Sequence, residues 1–291
     1  MNLRKAIPAM LITSTLLMSG CNSQSVAEEK KLAAQANEQT TTTTPAVADK
    51  ADFKDAIEQY RKYVIEECDR FVTLTGEFVA AVKTGDMEKA KSLYAPARMH
   101  YERIEPIAEA LGDLDPNIDA RDGDVEEKDW RGFHRIEQAL WDKKTTDGQQ
   151  AYADRLLSDA KLLRAKVETT EIEASLLVTG AVELLNEVST SKVTGEEERY
   201  SHTDLYDFAA NVEGAQKIYE LLKPQLEKKD AELDKQIETR FKALTDELAP
   251  FKKGEGYVSY TELTKEDVRR LSQNLDALAE PLSHMGKLLG V

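Results

Sequence analysis

Hydrophobic positions recur every three or four residues along most of the chain, and strict alternation is almost absent. That pattern predicts α-helices and very little sheet. Phe53, Ile57, Tyr60, Val64, Cys68, Phe71, Leu74 and Phe78 form the stripe of a first long helix, about Asp52 to Lys83. Thr84-Gly85-Asp86 ends it and caps a second, about Met87 to Leu111, in which Pro96 and Pro106 are expected to bend or break the rod. The acidic connection Gly112 to Asp129 leads into a helix that runs to about Asp142. Further helices are predicted for about Gln149 to Val167, Ile172 to Ser189, Ser201 to Lys229 with a bend at Pro224, Asp230 to Leu248, and Thr264 to Leu289. Seven or eight helices with short links make an all-α protein of antiparallel helical bundles.

Before Asp52 the periodicity stops. Arg4 and Lys5, then the apolar run from Ala6 to Met18 and the lipobox-like Met18-Ser19-Gly20-Cys21, read as a lipoprotein signal peptide over residues 1–21. Cys21 is therefore the expected lipidation site. Residues 22–51 are Ala, Gln, Glu, Lys and Thr with five threonines in a row from Thr40, the composition of a flexible tether. Residues 52–291 are the folded domain. An anchored protein of this kind belongs to the cell envelope. It is periplasmic if the cell has an outer membrane, and otherwise on the outer face of the cytoplasmic membrane. With Cys21 lipidated, Cys68 has no partner for an internal disulfide and is expected in the core.

The formal charge is −15, with no basic patch against it, which excludes nucleic acid as a partner and favours cations. Candidate chemistry lies in the acidic groupings. His134 and Glu137 are three residues apart on one helical face, as are Glu102 and Glu105. Between these pairs runs the acidic connection that holds Asp119. It fails as a calcium loop, with Ala120 where that loop needs glycine and Asp122 at the apolar position. Glu196-Glu197-Glu198 follows later, and then His202, Asp204, Asp207 and Asn211 at a helix start. Each grouping taken alone reads equally well as solvated surface. Together, oxygen-rich donors with one or two imidazoles suit iron or manganese, with other divalent cations open, and disfavour soft copper(I). Zinc-peptidase signatures are missing: there is no His-Glu-x-x-His, and Gln138 follows Glu137 where the inverted form needs histidine. No histidine has glutamate three residues before it, as a ferritin-like di-iron centre requires.

Tyr60-Arg-x-Tyr63-Val, Leu93-Tyr-Ala-Pro-Ala-Arg98, Tyr101-Glu-Arg-Ile-Glu-Pro106, Ile118-Asp-Ala-Arg121, Gly132-Phe-His-Arg-Ile-Glu137 and Tyr200-Ser-His-Thr-Asp-Leu-Tyr-Asp-Phe208 occur in order. With these motifs the chain resembles the imelysin-like EfeO/EfeM family over nearly all of residues 52–291. The resemblance implies two helical-bundle halves and an exported iron-binding component of an EfeUOB-type uptake system. Its implied partners are a membrane iron permease and a haem peroxidase-like protein. About thirty tether residues leave no room for the cupredoxin domain of longer members, so the short EfeM type is the nearer match. Carried over by motif, the metal residues are His134, Glu137, Glu102, Glu105 and Asp119. Further candidates are Glu197, Glu198, His202, Asp204 and Asp207, although spacing leaves open which of Glu196 to Glu198 takes part. The family's earlier grouping with metallopeptidases keeps an envelope metallopeptidase as the alternative, with a ligand-free structural lipoprotein as a third reading.

Overall fold

Pro106 decides how the second helical stretch is divided. The computed structural model describes residues 53–190 and 192–291. The leader, Cys21 and the tether lie outside the described residues. After α1 (Lys54–Thr84), α2 (Met87–Glu102) passes through Pro96 without ending, then stops. The short α3 (Glu105–Glu109) restarts with Pro106 in its first turn, where a missing N–H leaves no bond unmade. An unbroken helix would have paired residue 106 with the carbonyl of Glu102. That carbonyl instead accepts a hydrogen bond from Asn211 Nδ2 at 2.8 Å.

The acidic connection is not all loop. Buried Leu114 and Ile118, four residues apart, anchor α4 (Leu114–Asp119). Asp115, Asn117 and Asp119 thus belong to a helix and form no calcium loop. α5 (Phe133–Trp141), α6 (Gln150–Val167), α7 (Ala174–Thr190), α8 (Asp204–Lys229), α9 (Ala231–Leu248) and α10 (Lys265–Leu289) complete the set. Ten helices among the described residues exceed the seven or eight predicted because α3 and α4 are each too short to show a period. The glycine-rich loop near Lys253 also carries a two-stranded antiparallel hairpin, Lys252–Lys253 with Gly256–Tyr257.

The helices form two bundle halves. In the first, α1 packs on α2 and α6, and α5 bridges α2 and α6; in the second, α7, α8, α9 and α10 close a ring. Contact between α2 and α8 joins them, and the acidic motifs meet beside that seam. Phe71, Phe78, Tyr94 and Phe133 form an aromatic floor beneath the start of α5, with ring centroids 5.6–5.9 Å apart. Cys68 is fully buried, and burial above all pushes its thiol up to about 12. Among the described residues no helix is long and apolar enough to cross a membrane.

Candidate metal centre

Two glycines let the backbone approach closely enough to assemble the site. Gly132 has φ +91, and a β-carbon there would stand 2.2 Å from the Ile118 carbonyl oxygen. The start of α5 therefore lies directly on the end of α4, and the Trp130 indole N–H fastens the approach by donating to the Ala120 carbonyl at 2.8 Å. His134 arrives next to Asp119 as a result. Gly214 on α8 meets the Arg103 carbonyl, where a β-carbon would be at 2.5 Å. That contact brings Asp204, Asp207 and Asn211 up to the break between α2 and α3, which carries Glu102 and Glu105.

The third contribution is the turn before α8. Glu137 Oε1 accepts the backbone N–H groups of Tyr200 (3.0 Å) and Ser201 (2.7 Å), which ties this turn to α5. Asp204 Oδ1 accepts the Glu198 N–H at 3.1 Å, and Ser201 Oγ donates to Glu198 Oε2 at 2.9 Å. Glu197 and Glu198 are thereby buried, while Glu196 stays exposed. The acidic triplet is thus sorted by the fold in a way spacing does not reveal.

Glu102, Glu105, Asp119, His134, Glu137, Glu197, Glu198, Asp204 and Asp207 are all buried. His202 is the exception among the candidates. Its φ is +57, it is half-exposed and outside both groups of donors that converge on His134, and its carbonyl accepts the Tyr260 N–H at 2.9 Å.

Two buried cations escaped the sequence reading. Arg98 lies over the Tyr94 and Phe133 rings and pairs with Glu102 (2.5 Å), Glu198 (2.6 Å), Asp207 (3.5 Å) and Asp119. Lys192 pairs with Glu102 (2.9 Å), Glu187 (3.0 Å) and Glu105 (3.5 Å). The signal for Arg98 was its place in the Leu93–Arg98 motif, one helical turn before Glu102.

Eight buried carboxylates thus cluster around two buried cations, an imbalance that a low-dielectric interior tolerates only by taking up further positive charge. In the metal-free protein, protons supply part of it. Burial, chiefly, raises Glu198 to about 8, with Glu137 adding to the effect, and burial likewise raises Asp207 and Glu105 far above the usual carboxylate range. Burial and Arg98 oppose a charged His134, yet the neighbouring carboxylates of Glu137, Glu197 and Glu198 lift it to about 10. Burial would also raise Glu197, but Lys192 and His134 hold it well below the usual range.

The donor atoms converge in two groups of three, Asp119 with His134 and Glu197, and Glu137 with His134 and Glu198, each within 4.8 Å. On one side His134 Nε2 stands 3.5 Å from Asp119 Oδ1 and 3.6 Å from Glu197 Oε1, buried and without a hydrogen-bond partner. On the other, Nδ1 is 3.2 Å from Glu137 Oε2 and 3.4 Å from the Tyr94 hydroxyl. Glu102 and Glu105 lie toward Lys192, outside both groups of three.

Residues 24–285 match the family model described as imelysin, labelled peptidase M75. The chain belongs to the imelysin family. Its relatives place it in the EfeM/EfeO branch. It is 47% identical over 286 residues to an "Efem/EfeO family lipoprotein" of Staphylococcus haemolyticus strain JCSC1435, covering 97% of this chain and 98% of the relative. It is 51% identical over 242 residues to a protein of the same name in Staphylococcus aureus strain NCTC 8325, covering 81% of this chain and 85% of that one. The helical bundles expected of an imelysin-like chain are those found.

Proposed function

We propose that this imelysin-family protein is an exported, lipid-anchored iron-binding component of an uptake system and passes its metal to a membrane permease. The observation that carries the reading is the buried His134 imidazole, with an unpartnered Nε2 facing two carboxylates inside a cluster short of positive charge. Oxygen donors with a single imidazole match a hard or borderline cation such as iron. The EfeM/EfeO relatives, named as lipoproteins, support the anchor at Cys21 and an envelope location. A haem peroxidase-like protein is proposed as the second partner.

The protein is proposed to bind and not to cleave. Despite the family's peptidase label, the cluster holds one imidazole, whereas zinc-peptidase centres take two with a glutamate. Titrating the purified protein with ferrous, ferric, manganese, zinc, copper and calcium ions, followed by thermal melting, tests the reading. Iron should raise the melting temperature most, by mass action. No iron response, or chelator-sensitive peptide cleavage lost in His134→Ala, would overturn it.

A further inference from the structure

A cavity of 410 Å³ opens where α1, α2 and α8 meet, and neither His134 nor any of the clustered carboxylates lines it. Tyr63 and Arg103, in its wall, belong to the ordered motifs yet take no part in the metal centre. Glu67 is buried there and lies 2.7 Å from His100 Nδ1 and 3.3 Å from Arg103 Nη1. Burial would raise its carboxyl, but the His100 hydrogen bond and Arg103 hold it below the usual range. An ionised carboxylate can only accept, so the proton of the neutral His100 ring lies on Nδ1. Arg103 Nη1, 3.2 Å from that nitrogen, donates to the same carboxylate. His100 Nε2 is therefore left as an acceptor.

The carboxylates around this cavity are engaged, and several of its donors are not. Arg103 holds Glu213 Oε2 through Nε at 2.8 Å and Nη2 at 2.7 Å, and Gln216 Nε2 donates to Glu220 Oε1 at 3.1 Å. Half-buried Lys217 makes no ion pair among the described residues, although the chain carries a formal charge of −15. Its ammonium lies over the Tyr63 ring, 5.7 Å from the centroid. The Tyr63 hydroxyl has no hydrogen-bond partner among the described residues either. Arg70 is largely exposed and reaches Glu67 Oε1 only at 3.6 Å, which leaves most of its five N–H groups free. The groups still able to bond are thus donors, two of them cationic, together with one acceptor, His100 Nε2.

We propose that this cavity binds a small oxyanion that also carries a hydroxyl, such as a hydroxycarboxylate or hydrogen phosphate. The negative oxygens pair with Lys217 and Arg70 and accept the Tyr63 O–H, and the ligand's own O–H donates to His100 Nε2. Glu67 is a positioning residue, since it fixes the tautomer that presents that acceptor. Glu213 and Glu220 limit the charge that the site takes. One or two negative groups close to Lys217 are accommodated, while a larger polyanion is repelled by the α8 wall. The site is independent of the metal-binding reading above.

The test titrates the purified full chain, metal-free and labelled with ¹⁵N-histidine, with malate, inorganic phosphate, succinate and sulfate. Of the four histidines only His100 should shift, at Nε2, and saturably at roughly 10 mM ligand or below. Succinate and sulfate lack the O–H and should bind about 2- to 10-fold more weakly than malate and phosphate respectively. The tighter of malate and phosphate identifies which source of the shared chemistry the site prefers. Lys217→Met should weaken that ligand by about 10-fold or more, and Tyr63→Phe by about 2- to 10-fold. Metal binding should be the same in Lys217→Met as in wild type, which separates this site from the buried centre. The wild-type titration needs no variant to fold. No saturable shift at His100 with either malate or phosphate would overturn the proposal, as would an equal shift of all four histidines or undiminished binding in Lys217→Met.

Discussion

Asn211 Nδ2 donates to the backbone carbonyl of Glu102 at 2.8 Å and also stands 3.2 Å from Glu102 Oε2 and from Glu105 Oε2. One amide from the second bundle half thus caps the carbonyl that Pro106 cannot serve and steadies two carboxylates of the first. Asn211→Ala leaves that buried carbonyl unpaired and should cost about 1–3 kcal/mol of stability. Urea unfolding of the metal-free protein checks this, and an unchanged midpoint would contradict it.

Arg98 is the central counter-charge among the clustered carboxylates. Arg98→Met removes the fully buried partner of several carboxylates and should destabilise the metal-free protein by about 3–5 kcal/mol. A bound cation restores positive charge at the same place, so the deficit should narrow with saturating manganese or iron. Unfolding curves with and without metal measure both. An equal deficit in the two states would show that Arg98 and the cation do not share the cluster.

The pH dependence follows from the raised groups. Asp115 is lifted to about 6 and Glu109 to about 7, in each case first by burial, and Glu198 to about 8. Each binds its proton more tightly folded than unfolded, so stability of the metal-free protein falls as pH rises from the ordinary carboxylate range, about 4, through these values. His134 acts in the same direction. Its contribution is whole below about 6.5 and is lost as pH climbs toward about 10. Metal relieves the repulsion, and protons compete with it at low pH. The metal-induced rise in melting temperature should therefore be larger near about pH 8 than near about pH 5.5. The reverse order in a buffer-matched melting series would contradict this.

Much of this was legible in the sequence, for identifiable reasons. Long helices such as α1 and α8 have enough turns to show an apolar stripe, and the i, i+3 pairs His134/Glu137 and Glu102/Glu105 do project inward. What stayed hidden depends on contacts between distant segments. Arg98, four residues before Glu102, has the spacing of an ordinary surface pair, and it is the distant segments α4, α5, α8 and the 195–203 turn that close around it. Lys192 lies in a single 3₁₀ turn with no periodicity to betray an inward side chain. His202, half-exposed at a positive φ, lies outside both donor groups, and nothing in Ser-His-Thr-Asp signals that backbone turn.

The anchor makes a separate expectation. Cys21→Ser should move the exported protein from the membrane fraction to the soluble one in fractionated cells. Retention on membranes would refute the lipid attachment.

The most direct measurement is a crystal of the iron-loaded protein with anomalous difference density collected across the iron absorption edge. A peak should stand inside the buried cluster, beside His134 Nε2 and between Asp119 and Glu197. It should vanish in His134→Ala crystals soaked identically. Iron found only on surface carboxylates, with the cluster still closed by Arg98 and its partners, would contradict the assignment of this centre as the iron site.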